Sequence, residues 1–253
     1  MAPATKQGET HSTAADSRIP APWLGPKPSV LVFDVNETLI DVESMTPLFR
    51  RVFGNEAVLR EWFGQLVLYS MTLTLSGLYN DYLSLAQGVF AMVGAIHGVD
   101  VKPADLEALK QSMLSMPAHA DVEIGLKQLK DAGFRMVTLT NSPPGKGQPT
   151  PLENAALAGF FERQFSVEMA RAYKPAQILY HRVAQELEVP SSACCMIAAH
   201  VWDTIGAQSA GLAAALVTRS GNAPLPVPGL PQPGVVAPDL PALAAQMIKL
   251  WRS

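Results

Sequence analysis

Apolar runs of strand length alternate along this chain with stretches of helical periodicity. Val30-Leu31-Val32-Phe33 is β-branched and aromatic, the signature of a buried strand, and it stops at Asp34 and the loop residues Asn36, Glu37 and Thr38. Further strands are expected at Phe134 to Leu139, near Phe165 to Val167, at Cys194 to Ala199 and, last, at Ala213 to Val217. Helices fall between them. One begins at Asp121 and stops at Gly133. Thr150-Pro151-Leu152-Glu153 has capping-box spacing with Pro at the first helical position, predicting a helix to about Phe161. Lys174-Pro175 opens another, with Leu179, Val183 and Leu187 inward; one more ends near Gly211, and a last spans Leu240 to Trp251. Strands alternating with helices predict an α/β fold, a doubly wound parallel sheet.

The alternation is interrupted once. Between about residues 46 and 116, apolar positions recur at helical spacing in three groups: Leu59, Trp62, Phe63, Leu66 and Val67; Tyr82, Leu85, Ala86, Val89, Phe90 and Val93; and, after Pro103, Leu106, Leu109 and Met113. Three helices inserted directly after the first strand predict a helical cap, placed as a lid, on a core of residues 29–45 and 117–253. The aromatic stripes are ordinary core positions first, although Tyr82, Trp62 or Phe63 could also face an apolar pocket. Residues 1–28, rich in Ala, Pro, Thr and Ser without periodicity, read as a disordered tail in which His11 binds nothing. Seven prolines between 222 and 241 argue against regular structure there.

Composition narrows the function. An apolar content of 48% supports a sizeable core, and a net charge of −3 without a basic stripe argues against nucleic acid and acidic membrane surfaces. No run reaches membrane-span length and no secretory signal is visible, so a cytoplasmic protein is expected. The two cysteines, Cys194 and Cys195, are adjacent in an apolar run and read as buried strand residues, suited to a reducing compartment. Oligomeric state is left open, a homodimer included.

In a parallel sheet, chemistry gathers beyond the carboxyl ends of the strands. Four such ends carry polar residues: Asp34 with Asn36 and Thr38; Thr140 with Asn141; Lys174; and His200 with Asp203. Each has an ordinary reading alone. Thr140-Asn141 is turn chemistry, Lys174 a solvated lysine, Asp203 a helix N-cap and His200 a hydrogen-bonded core histidine. Together they put a carboxylate, a hydroxyl, an amide, an ammonium and a second acid at one edge.

In this order the motifs resemble the haloacid dehalogenase superfamily, and within it the type II, L-specific 2-haloacid dehalogenases. The resemblance rests on Phe-Asp-Val-Asn-Glu-Thr-Leu at 33 to 39, Leu-Thr-Asn-Ser at 139 to 142, Tyr-Lys-Pro at 173 to 175 and Ala-Ala-His-Val-Trp-Asp at 198 to 203, and runs from about Val30 to Gly221. It implies a Rossmann-like core with a helical cap and a halogenated carboxylic acid as substrate. Asp34 would be the nucleophile and form an aspartyl ester that water hydrolyses. Lys174 would hold Asp34 ionised, Asp203 would activate water, and Thr38 and Thr140 would bind the substrate carboxylate or an oxyanion. Asn141 would hold the halide, and Tyr180 would brace the Lys–Asp pair at the substrate site.

The superfamily's phosphatases usually carry a second Asp two residues after the nucleophile, to protonate an alkoxide. Here that position is Asn36, which is no carboxylic acid, whereas a departing halide needs no proton. The fourth loop offers a single acid, so neither metal nor cofactor is expected. Two positions depart from the dehalogenase pattern. Phe63 stands where a cap arginine draws off halide, with Arg60 as a candidate substitute, and Ala198 and His200 replace Ser and Asn. His200 would orient the water or change the pH profile. A phosphatase or other hydrolase of the superfamily is the alternative, and a non-catalytic binding protein on the same fold is a third reading.

Overall fold

The computed structural model describes residues 27–142 and 149–251. The tail expected at the amino terminus, with His11, and Pro143 and Pro144 of the second loop lie outside the described residues. Six strands form one wholly parallel sheet: β1 (Val30–Phe33), β2 (Arg135–Thr140), β3 (Arg163–Ser166), β4 (Cys194–Ala198), β5 (Ala213–Val217) and β6 (Val235–Ala237). Their order is β3-β2-β1-β4-β5-β6. β1 is central, paired in register with β2 on one side and β4 on the other. That explains its unbroken apolar run, since every residue of it is fully buried. The doubly wound α/β sheet read from the sequence is the observed architecture, and Cys194 and Cys195 are free and buried in β4.

Within residues 46–116, after β1, lie four α-helices: α1 (Thr46–Phe53), α2 (Val58–Leu75), α3 (Tyr82–Ile96) and α4 (Pro103–Leu114). Three were expected, and α1 is the addition. Its eight residues end at Gly54, whose φ of 69° is left-handed. The chain leaves and rejoins the core through one narrow neck. Ile40 bridges Ala118, Asp41 N–H bonds Pro117 O, and His119 N–H bonds Leu39 O. The helical stretch is therefore spliced in at two touching points. Trp62 lies in its core and donates its indole N–H to Ala86 O.

The remaining helices are α5 (Val122–Asp131), α6 (Pro151–Asn154), α7 (Gln177–Glu186), α8 (Val201–Ser209) and α9 (Leu240–Leu250). Two expectations fail here for local reasons. The capping box at Thr150 forms, but α6 does not continue to Phe161. Leu157 N–H bonds Leu152 O and Ala156 N–H bonds Glu153 O, a Schellman stop with left-handed Ala156 in the place glycine usually takes. The proline-rich stretch also contains a strand. β6 sits between Pro233 and Pro238, so neither ring removes a donor from its ladder with β5. Among the described residues, no helix is long and apolar enough to cross a membrane.

Candidate active site

Asp34 follows β1 directly, and its N–H is tied to Ile197 O of β4 at 3.0 Å. The two carboxylate oxygens face different surroundings. Oδ1 accepts from Lys174 Nζ at 2.8 Å. Oδ2 accepts from the Thr38 hydroxyl at 2.6 Å, while Thr38 Oγ1 itself accepts from Ala199 N–H at 2.8 Å. Thr38 is thereby locked onto the nucleophile candidate, its hydroxyl already committed on both sides.

Lys174 is fully buried with all three ammonium protons placed. They go to Asp34 Oδ1, to Leu139 O at 3.0 Å and to Asp203 Oδ2 at 2.6 Å. Asp203 Oδ1 accepts from the Tyr180 hydroxyl at 2.6 Å. Close approach makes this chain of contacts geometrically available. A side chain at Gly206 of α8 would fall 2.4 Å from Pro175 and 2.8 Å from the Tyr180 hydroxyl, so only glycine lets the Lys174-Pro175 segment and Tyr180 lie against the helix that carries Asp203. Asp203 stands in the first turn of α8, not at its N-cap.

Electrostatics divides the two carboxylates. Burial pushes the Asp34 carboxyl up, but the ammonium of Lys174 leads the groups that pull it down, and it falls well below the usual carboxylate range. Asp203 moves the other way, raised by burial and then by the charge of Asp34, with Lys174 opposing. Burial lowers Lys174, and the two carboxylates more than restore it, so the ammonium stays charged. Burial, and next to it the charge of Asp203, holds the Tyr180 phenol far above its ordinary value.

On the other side of Asp34 lies a small cavity lined by Asp34, Asn36, Phe63, Val67, Tyr82, Asn141, His200 and Trp202. Its free volume is about 10 Å³, on the order of the space one water occupies. Phe63 and Val67 come from α2 and Tyr82 from α3, so the inserted helices supply one wall. Asn141 accepts from Lys174 N–H at 3.1 Å, which fixes its amide. The His200 ring is stacked between Phe63, with centroids 5.6 Å apart, and Trp202, at 5.2 Å. Its Nδ1 is 3.8 Å from Asp34 Oδ2 and has no hydrogen-bond partner, and its Nε2 bonds to Glu37.

Glu37 is the functional candidate that sequence reasoning left as a loop residue. It is buried, has a left-handed φ of 67°, and pairs with Arg60 as well as His200. A non-glycine residue held so is a strained position that its surroundings must enforce. No sequence signal marked it, because Glu is not a turn residue and its partners lie 23 and 163 positions away.

Several expected placements change. Tyr180 lies behind Asp203 and does not reach the cavity. Asp203 is sealed between Lys174 and Tyr180 and does not line it either. Thr140 turns its hydroxyl to Ser142 N–H at 3.0 Å and lines a separate cavity with Thr138 and Ser166. Arg60 is no substitute for a halide-binding arginine, because its guanidinium is spent on Glu37, Glu43 and Ser220 O outside the cavity. Phe63, Asn36, Asn141 and His200 do converge on Asp34. Among the described residues no group of three His, Cys, Asp or Glu is arranged to hold a metal, and the Lys174 ammonium already bridges the two aspartates that might share one.

Known proteins similar to this chain in sequence or fold form a consistent set. Residues 28–211 match the family described as haloacid dehalogenase-like hydrolase. The chain is 24% identical over 193 residues to (S)-2-haloacid dehalogenase H-109 of Pseudomonas putida, covering 76% of this chain and 86% of that one. It is 29% identical over 198 residues to (S)-2-haloacid dehalogenase 1 of Pseudomonas sp. (strain CBS-3), covering 74% and 83%. In fold it is similar to the L-2-haloacid dehalogenase from Xanthobacter autotrophicus with chloropropionic acid covalently bound, with a TM-score of 0.76 at 23% identity over 86% of this chain and 97% of that one. A phosphatase of the superfamily from Thermococcus onnurineus is more distant, with a TM-score of 0.55 at 19% identity over 84% and 94%. The chain belongs to the haloacid dehalogenase-like hydrolases.

Proposed function

We propose that this protein hydrolyses a short 2-haloacid to the 2-hydroxy acid through an ester on Asp34. The observation that carries the reading is the state of Asp34: a carboxylate held ionised by Lys174, facing a small cavity that has an amide, Asn36, where a phosphatase needs an acid. The ionised Oδ2 attacks C2 of the acid, the carbon–halogen bond breaks, and the electron pair leaves with the halide. No proton donor is required at that step. Asn141 and Asn36 offer amide groups to the halide and the substrate, and Phe63, Val67, Tyr82 and Trp202 wall in the carbon chain. Asp203 and Tyr180 serve by holding Lys174. Relatives named as (S)-2-haloacid dehalogenases, and the covalent chloropropionate in the Xanthobacter autotrophicus structure, support the same chemistry.

Residues 46–116 act in this reading as a cap. The cavity as it stands is smaller than any haloacid, so α2 and α3 shift to admit substrate and close again to exclude water. The test is halide release from a panel of L- and D-2-haloacids, fluoroacetate included, with and without prior dialysis against EDTA. Release from L-acids that survives EDTA is expected. No release from any of them, together with Mg²⁺-dependent cleavage of a phosphoester, would replace the reading with a phosphatase.

A further inference from the structure

Hydrolysis of the Asp34 ester needs a base beside a water molecule, and the acid that the sequence offers for it is unavailable. Asp203 has one oxygen on Lys174 and the other on Tyr180, and is fully buried outside the cavity. Lys174 has no free lone pair, because it is protonated and its three protons are placed. The cavity does contain one buried nitrogen without a partner, His200 Nδ1.

We infer that His200, held by Glu37, is the general base that activates water against the Asp34 ester; the inference rests on the dehalogenase reading above. With Arg60 on its far side, the Glu37 carboxylate is the acceptor in its contact with His200, so Nε2 carries the proton there and the unpartnered Nδ1 is the nitrogen that turns a lone pair towards Asp34. At 3.8 Å, Nδ1 and Oδ2 are too far apart for a direct hydrogen bond, and a cavity with space for about one water adjoins both. Phe63 and Trp202 sandwich the ring and fix its plane. The charged groups around it are Asp34 and Glu37 from the loop after β1, Arg60 of α2 behind Glu37, and Lys174 beyond Asp34.

The step balances. Water oxygen bonds to Cγ of Asp34 and its proton passes to Nδ1. The electron pair of the ester carbonyl moves to Oδ1, where the Lys174 ammonium receives it. Collapse breaks the Cγ–Oδ2 bond, Oδ2 leaves with the substrate, and Nδ1 returns the proton to it, giving the hydroxy acid. The regenerated Asp34 carboxyl loses its remaining proton to solvent. His200 is a catalytic residue in this scheme, and Glu37 is a positioning residue that fixes the tautomer and balances the imidazolium.

The test separates the two halves of the reaction. Excess enzyme is mixed with L-2-chloropropionate, and chloride release and the mass of the Asp34 peptide are followed together. His200→Phe keeps a flat ring in the stack. It is expected to release about one chloride per active site at a rate within a few-fold of wild type, then stop with the ester on Asp34, hydrolysis being slowed about 10²-fold or more. Glu37→Gln should show the same selective slowing to a lesser degree, and it decides the matter if the phenylalanine variant proves unfolded by circular dichroism. Loss of the chloride burst in a folded variant, or unimpaired hydrolysis, overturns the inference. No chloride release by the wild-type protein sinks the dehalogenase reading itself, and the inference with it.

Discussion

The two sides of Asp34 are built on opposite principles. Towards Lys174, every polar atom is matched: three ammonium protons on three acceptors, and both oxygens of Asp203 engaged. Towards His200, Nδ1 and the Asn36 carbonyl are buried without partners beside an open space. A saturated buried network holds geometry and charge but has no valence left to take part in a reaction, whereas unmatched buried groups around a cavity are positioned to meet substrate and water. One face of the carboxylate is a mount and the other a workplace.

The largest effect should follow from cutting the mount. Lys174→Met leaves Asp34 and Asp203 buried without their counter-ion. We expect turnover to fall by about 10²–10³-fold and stability by about 3–5 kcal/mol, measured by urea denaturation. The sign with pH sharpens it. Asp34 is depressed in the folded protein, so its contribution is fully present above the unfolded carboxyl value near pH 4 and fades as pH falls through the depressed one. The stability gap between wild type and variant should therefore be widest at neutral pH and narrow on acidification. A gap independent of pH would show that Lys174 does not hold an ionised Asp34.

Tyr180→Phe should do less. One oxygen of Asp203 loses its donor while the other stays on Lys174, so about 1–3 kcal/mol of stability goes with turnover within about tenfold. A collapse of activity with stability intact would move Tyr180 from the mount to the chemistry. On the cavity side the balance should reverse. Phe63→Leu widens the space over Asp34, so the smallest stability loss, about 1 kcal/mol, should accompany a change in the preference between two- and four-carbon haloacids, read from kcat/KM. A preference identical to wild type would take Phe63 out of substrate contact.

Much of this was legible in the sequence. The β1 run and the strand-end positions of Asp34, Asn141 and His200 follow from period and topology, because a parallel sheet brings those ends together whatever the details. The sequence reading puts Lys174 at a fourth strand end, but β3 stops at Ser166 and the lysine reaches Asp34 from the loop beyond it. What stayed hidden depends on side-chain direction or on long-range pairing. Thr140 occupies a strand end as expected, yet its hydroxyl satisfies its own turn. Arg60 was a reasonable halide ligand until α2 set it against Glu37. The stop at Ala156 and the short β6 escaped because alanine carries no turn signal and the prolines mask a three-residue strand.

The central claim is that Asp34 itself becomes the ester. A single turnover with excess enzyme in ¹⁸O-water tests it directly. Because water attacks Cγ of Asp34, the isotope should appear in the Asp34 peptide and be absent from the hydroxyl of the product. Label in the hydroxy acid and none in the peptide would mean that water attacks the substrate, and would contradict the account.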